Sequence, residues 1–258
     1  MNVIKLCGGL GNQLFQYAFG RVQKENGIDV KYSREWYSGV SCQTPVRKYI
    51  LDKFCTEVKT GTFRNNKRIV RERGFDLGLL KKDGFNFSGY WQYPVYYEMI
   101  LPILRKEFCV REEFYTRSFL DLKEEIIKKD NSVAIHVRRG DYLNLDDFPV
   151  MPLEYYQKAM DIVKGDYYIF SDDIEWCKAN FEHGNIVHLN EYLDFELMKS
   201  CKHQILSRSS FGWWAAHLNS NFFKKVIVPT QQITSKVRPL SERDKVELFD
   251  PQEWIYVD

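Results

Sequence analysis

Short apolar runs alternate with stretches in helical spacing over most of the chain. Asn2 to Cys7 reads as a strand, and Gly8-Gly9-Leu10-Gly11-Asn12-Gln13 as a glycine-rich turn. Leu14 to Asn26 follows with Leu14, Phe15, Ala18, Phe19 and Val22 on one helical face, closed by Gly27. Ile28 to Tyr32 predicts a second strand, which makes a strand-turn-helix-strand unit. From Ser33 to Arg117 no period holds, and aromatic residues crowd Gly84 to Met99.

Regularity returns at Ser118, a helix cap for a segment reaching about Lys129. Strands are predicted at Ser132–Val137, Tyr167–Phe170, Ile186–Leu189, Gln204–Leu206 and Lys225–Pro229. Between them lie helices over Leu153–Val163, Asp173–Phe181, Asp194–Cys201 and Ser210–Asn219. Short strands alternating with helices predict parallel sheets. The expected architecture is α/β in two Rossmann-like halves, residues 1–115 and 116–258, with a ligand in the cleft between them.

Candidate chemistry sits where predicted strands end. The apolar run Val133 to Val137, interrupted by His136, passes into Arg138-Arg139-Gly140-Asp141-Tyr142. In open α/β sheets ligands bind beyond the carboxyl ends of strands. Two guanidiniums there suit a phosphate or carboxylate, although a loop ion pair is the plainer alternative. Ser171-Asp172-Asp173 ends the next strand and doubles as a helix cap. Ser207-Arg208-Ser209-Ser210-Phe211-Gly212-Trp213-Trp214 opens a helix whose free N–H groups and hydroxyls suit an anion. A parallel sheet brings these ends to one edge, where they can grip a diphosphate.

Composition narrows the partners. Across 258 residues the net charge is only +2, which gives no global field for nucleic acid. The basic run Arg64 to Arg73 reads as a solvated face, with contact to an anionic membrane surface as the weaker reading. Aromatic content of 16% fits either an aromatic core or a stacking ligand such as a carbohydrate. The six cysteines form no Cys-x-x-Cys pair, so reduced, buried thiols and a cytoplasmic protein are expected, without a zinc site. No secretory leader or membrane-spanning run is read from the chain. There is no phosphate-binding Gly-x-x-x-x-Gly-Lys-Ser/Thr and no Asp-x-Asp metal clamp.

Gly8 to Ala18 looks like the N-terminal signature of bacterial α-1,2-fucosyltransferases, glycosyltransferase family 11. His136-Val137-Arg138-Arg139-Gly140-Asp141-Tyr142 resembles the family's His-x-Arg-Arg-Gly-Asp motif. Phe170 to Cys177, Glu196 to His203 and Ser209 to Trp214 also fit, in family order, from residue 4 to about 229. The resemblance implies a GT-B-like fold and inverting, metal-independent transfer of L-fucose from GDP-fucose to O2 of a galactoside. It implies no cofactor beyond that donor, and a galactose-containing glycan as acceptor in surface glycan or O-antigen synthesis. A peripheral location at the inner membrane face goes with that biology.

The resemblance assigns Arg138 to the β-phosphate and sets His136 against the nucleotide. Ser209, Ser210 and Phe211 would serve the diphosphate, and Asp194 would read guanine. Gly9, Gly11, Asn12 and Gln13 would face the donor from the other half. Asp141 is the nearest base candidate, with His136 and Asn12 beside it in the catalytic set. Arg139, Asp172 and Arg208 complete the expected donor site. Two departures stand out: Arg208 replaces the family's asparagine, and Gly212 replaces a serine. Two other readings remain open, a nucleotide- or glycan-binding module without catalysis and a same-fold transferase using another sugar nucleotide.

Overall fold

A computed structural model describes residues 1–39, 46–64, 68–146, 148, 150–230 and 253–258. Cys42 and the centre of the basic run, 65–67, lie outside these residues. The chain divides into two compact units, with the break at Cys109/Val110 rather than at 115/116.

The first unit is built on a four-stranded parallel sheet in the order β2-β1-β4-β3. Its strands are β1 (Asn2–Lys5), β2 (Val30–Ser33), β3 (Ile69–Arg71) and β4 (Asn86–Ser88). The stretch 33–117, read as irregular, thus supplies two of the four strands and a short helix, α2 (Leu101–Glu107). Three-residue strands are too short to show a period of two, which hid them in the sequence. The basic run contains β3, an edge strand that ends in Arg71. Charged edge residues discourage strand addition by other chains.

Helix α1 spans Leu10–Glu25, so Gly11, Asn12 and Gln13 lie in its first turn instead of in a loop before it. Gln13 is fully buried and acts as a staple. Its amide donates to Gly8 O at 3.2 Å and Lys48 O at 2.8 Å, and accepts from Ile50 N–H at 2.9 Å. The aromatic wealth of this unit is mostly core. Phe19 stacks on Trp91 at 4.4 Å, and Phe87, Tyr93, Tyr96 and Tyr97 are all buried.

The second unit carries a six-stranded parallel sheet in the order β10-β9-β8-β5-β6-β7. The strands are β5 (Ser132–Val137), β6 (Asp166–Ser171), β7 (Asn185–Val187), β8 (His203–Ile205), β9 (Val226–Pro229) and β10 (Ile255–Val257). All six residues of β5 are buried, as a central parallel strand requires. Its helices are α3 (Arg117–Lys128), α4 (Leu153–Ile162), α5 (Ile174–Asn180), α6 (Glu191–Ser200) and α7 (Ser210–Leu218). The cap of α3 is Thr116, whose Oγ1 accepts from Phe119 N–H at 3.2 Å, and not Ser118. Strand β10 went unread because it lies beyond the last periodic segment.

No disulfide joins the five described cysteines to one another. Cys177 and Cys201 are buried, Cys7 and Cys109 half-buried, and Cys55 is exposed, contrary to the expectation of uniform burial. No described helix is long and apolar enough to cross a membrane.

Replacing Gln13 by Leu leaves the Ile50 N–H and Lys48 carbonyl without their partner. Urea unfolding of Gln13→Leu is expected to show a loss of about 2 kcal/mol. An unchanged midpoint would mean that the staple carries no stability.

Candidate active site at the strand-order reversals

The C-terminal sheet reverses its strand order at the central strand β5, and the N-terminal sheet does so at its central strands β1 and β4. In open α/β sheets that is where ligand crevices form. In the C-terminal unit the reversal falls between β5 and β8, with β6 on the other side of β5. Register sets His136 opposite Phe170, Val137 opposite Ser171 and Ile135 opposite Ile205. The loops after β5, β6 and β8 therefore meet at one edge.

The two arginines after β5 are not a bare cationic pair. Arg138 Nη1 lies 2.8 Å from Asp172 Oδ2, and Nη2 bonds Asp141 Oδ1. The Tyr142 ring lies beside the same guanidinium, 5.1 Å from its carbon. Arg139 is built into the scaffold: Nε reaches Asp173 Oδ2 at 3.0 Å, and the guanidinium carbon lies 4.3 Å from the Trp176 ring centre. The Arg139 backbone N–H donates to Asp172 Oδ1 at 2.9 Å. Asp172 thus binds one arginine side chain and the backbone of the next. Gly140 makes room for it, because a Cβ there would lie 2.3 Å from Asp172 Oδ2. Three carboxylates meet two guanidiniums, so the generic anion site expected from Arg138-Arg139 is already charge-compensated. A guanidinium has five N–H donors, and the two ion pairs of Arg138 use two of them.

His136 is buried, with Nδ1 2.9 Å from Ser207 Oγ. Burial first, and the Arg138 charge second, push its pKa down to about 3. It stays a neutral ring at working pH, and so weak a base is a poor candidate for taking the acceptor proton. Its ring packs 5.5 Å from Phe211, which in turn packs 5.4 Å from Phe195. Gly212 is the space that this ring needs: a Cβ there would come 2.8 Å from His136 Nδ1.

Ser209 caps α7, its Oγ accepting from Phe211 N–H at 3.3 Å, and Ser210 opens the helix. Arg208, just before the cap, has its guanidinium carbon 5.7 Å from the Tyr256 ring of β10. Asp194, in the first turn of α6, accepts from Leu189 N–H at 3.1 Å, and among the described residues no ion pair to it is seen. Burial raises its pKa to about 7, with Glu191 adding to the rise. By contrast Glu196, two residues on, is also buried, but Lys199 and Lys123 outweigh that burial and lower its pKa. Asp194 is the half-protonated carboxyl of this edge.

The N-terminal sheet reverses its order between β1 and β4. Gly8 has φ +81°, and a Cβ there would lie 2.6 Å from Asn12 Nδ2. Gly9 is the N-cap of α1, and Gly11 is buried within the helix. Asn12 Oδ1 accepts from Gln92 Nε2 at 2.8 Å, which ties the turn after β1 to the segment after β4. Gln92 follows Trp91, the one described non-glycine residue with positive φ, at +57°. Glu72 holds that strained turn by accepting from Tyr90 N–H at 2.7 Å and Trp91 N–H at 3.2 Å. Arg47 sets its Nη1 3.6 Å from where a Gly9 side chain would begin. Gln92, Glu72 and Arg47 were missed as site residues, because only tertiary contact brings them to the turn. Gln13 belongs with the scaffold, since its buried amide is spent on backbone. Among the described residues no three His, Cys, Asp or Glu side chains gather as a metal site.

Comparison with known proteins agrees with this architecture. The Glycosyl transferase family 11 model matches residues 1–258, and the chain belongs to that family of glycosyltransferases. An α-1,2-colitosyltransferase of Escherichia coli is 29% identical, covering 99% of this chain and 98% of that protein. The O-antigen biosynthesis glycosyltransferase WbnK, also of E. coli, is 27% identical over 86% of this chain and 91% of its own length. Galactoside α-(1,2)-fucosyltransferase 1 of Lagothrix lagotricha is 27% identical over 82% of this chain and 63% of that protein. Among solved structures, the NodZ α-1,6-fucosyltransferase co-crystallised with GDP matches with a TM-score of 0.52, at 12% identity, over 83% of this chain and 91% of that one. That likeness places the chain among GT-B-like folds.

His136 and Asp194 make opposing contributions to acid stability. A buried neutral histidine destabilises the fold as pH falls below 6.5 towards 3. A carboxyl raised from 3.8 to about 7 does the reverse, stabilising as pH falls through the same range. Denaturation midpoints at pH 7 and 4.5 are expected to drop less in His136→Gln than in the parent, and more in Asp194→Asn. Equal drops in all three proteins would contradict the burial described.

Proposed function

We propose that the protein transfers a 6-deoxy sugar, L-fucose in the first instance, from its GDP ester to O2 of a galactoside, with inversion at the sugar carbon. The observation that carries this reading is the edge around β5. It offers an oriented arginine, a capped helix start and a buried carboxyl, within a family 11 chain. Guanine presents N–H donors along one edge, and an ionised Asp194 is the matching acceptor. The Ser209-Ser210 start of α7 and Arg138 serve the diphosphate.

As the donor C–O bond loosens, charge grows on the leaving diphosphate. Arg138, held in place by Asp172, and the N–H groups of α7 stabilise it. Arg208 adds positive charge that compensates for what the three aspartates withdraw. Asp141 is the proposed base. Competition from a bound diphosphate for Arg138 weakens its ion pair and leaves its oxygen to accept the hydroxyl proton. In the N-terminal unit the Asn12–Gln92 amide pair offers donors and acceptors suited to sugar hydroxyls.

The relatives favour a second donor within the same chemistry, because one full-length relative is named for colitose. The discriminating assay offers GDP-fucose, GDP-colitose, and UDP- and ADP-sugars with a panel of galactosides, reading nucleotide release and product linkage. Transfer from GDP-fucose, undiminished by EDTA, is expected. Tight GDP binding without transfer to any acceptor would instead favour the binding-module reading.

The Asp194 assignment predicts a pH signature in binding. The ionised carboxylate accepts from guanine, so affinity for GDP-fucose should rise as pH increases through about 7 and level off above it. The doubly esterified diphosphate of that ligand does not titrate in this range. Calorimetric titrations from pH 5.5 to 8.5 should show the rise in the parent and a flat, weaker profile in Asp194→Asn. Matching profiles would remove Asp194 from the guanine site.

A further inference from the structure

Phe222 and Phe223 are 90% and 81% exposed, on the turn between α7 and β9. They are neighbours in space, with ring centres 5.1 Å apart. Nothing in their own packing explains two adjacent phenyl rings in water, and exposed apolar patches of this kind mark interaction surfaces.

The turn that carries them is firmly built. Asn219 Nδ2 donates to Cys201 O at 2.7 Å, and Asn221 Nδ2 to Lys202 O at 3.1 Å. Asn219 Oδ1 accepts from Asn221 N–H at 2.8 Å, and Asn221 Oδ1 from Phe223 N–H at 3.2 Å. Lys224 Nζ closes the end of α7 by donating to Ala216 O at 2.7 Å and Asn219 O at 2.8 Å. The bonds fix the backbone while the phenyl rings are left outside. A surface already ordered in this way loses little conformational entropy on docking.

The surroundings are basic. Lys225 is exposed next to the pair, and Lys202 lies on the neighbouring loop, its Nζ bonded to the Asp130 carbonyl. His203 sits between them, its Nδ1 accepting from Lys225 N–H at 2.9 Å and its Nε2 lying 2.7 Å from Asn131 Oδ1. Burial, then the charges of Lys225 and Lys202, lower its pKa, so both ammonium groups are felt there. Asp130 is the acidic neighbour on this side. Further along the same edge, Lys129 is paired with Asp166 and Lys128 with Glu124.

We propose that the Phe222–Phe223 turn is a membrane-docking tip, its rings entering the headgroup region of an anionic bilayer while Lys202 and Lys225 meet lipid phosphates. Aromatic rings flanked by lysines are the chemistry of an interfacial anchor. The tip sits at the amino-terminal edge of the parallel sheet. The strand-end cluster around Arg138 occupies the opposite edge of the same unit, so docking leaves it open. This proposal stands independently of the donor assigned above.

Co-sedimentation of the full chain with phosphatidylcholine vesicles, with and without phosphatidylglycerol, tests it. Binding is expected only with the anionic lipid. It should weaken about tenfold or more in the Phe222→Ser/Phe223→Ser double variant and fall clearly in Lys225→Glu. Nucleotide release measured with a soluble acceptor should be unaffected in both. In a Phe222→Trp variant, tryptophan emission should shift to the blue on addition of anionic vesicles. Equal sedimentation of parent and double variant would overturn the proposal, as would no vesicle binding at all. Phenylalanine-dependent dimerisation in light scattering without vesicle binding would assign the tip to a second copy instead.

Discussion

The carboxylate of Asp172 decides what the β5 edge can do. It reaches from the end of one strand to the loop after the next, taking Arg138 Nη1 on one oxygen and the Arg139 backbone N–H on the other. A loop guanidinium left to itself samples many rotamers and spends most of its charge on water. Pinned by Asp172, Arg138 has one direction, and Arg139 is turned away to Asp173 and Trp176. Gly140 follows from the same constraint, since any side chain there would occupy the space that Asp172 fills. The Arg-Arg-Gly-Asp run is therefore one steric and electrostatic unit, completed by a residue from the next strand.

Around that unit the polar groups sort by what burial does to them. His136 is kept neutral, which suits a ring wedged between Ser207, Phe211 and Gly212 and unsuits it for proton transfer. Burial raises the Asp194 pKa to about 7, whereas Glu196, only two residues on, is held ionised by two lysines. Two carboxyls on one helix thus differ through their neighbours, and the one with no ion pair among the described residues is the one poised to respond to a ligand.

Much of this was legible in the sequence for identifiable reasons. Strand β5 announced itself because a buried parallel strand is continuously apolar, and its polar tip marked the edge. The Asp173 cap was readable because capping is local. The loop ion pair with Asp141 was legible as the plainer alternative, but the share of Asp172 and Asp173 was not, since they are distant in sequence and their role depends on strand register. Nor were Gln92, Glu72 and Arg47, whose place at the turn after β1 comes from the return of β4 and from a segment with no period of its own. Gln13 was misjudged for a related reason: a motif residue can be kept to hold backbone rather than to touch a ligand. The exposed phenyl pair gave no sign either, because Phe-Phe in a sequence ordinarily means core.

Equilibrium GDP binding by Arg138→Lys and Arg139→Lys, with thermal unfolding of each, tests the division of labour between the two arginines most directly. Lysine keeps the charge but loses the forked geometry. Arg138→Lys is expected to bind GDP at least tenfold more weakly with little change in unfolding midpoint. Arg139→Lys is expected to unfold several degrees lower while retaining most of its GDP affinity. The reverse pattern, with Arg139 carrying the affinity and Arg138 the stability, would contradict the account.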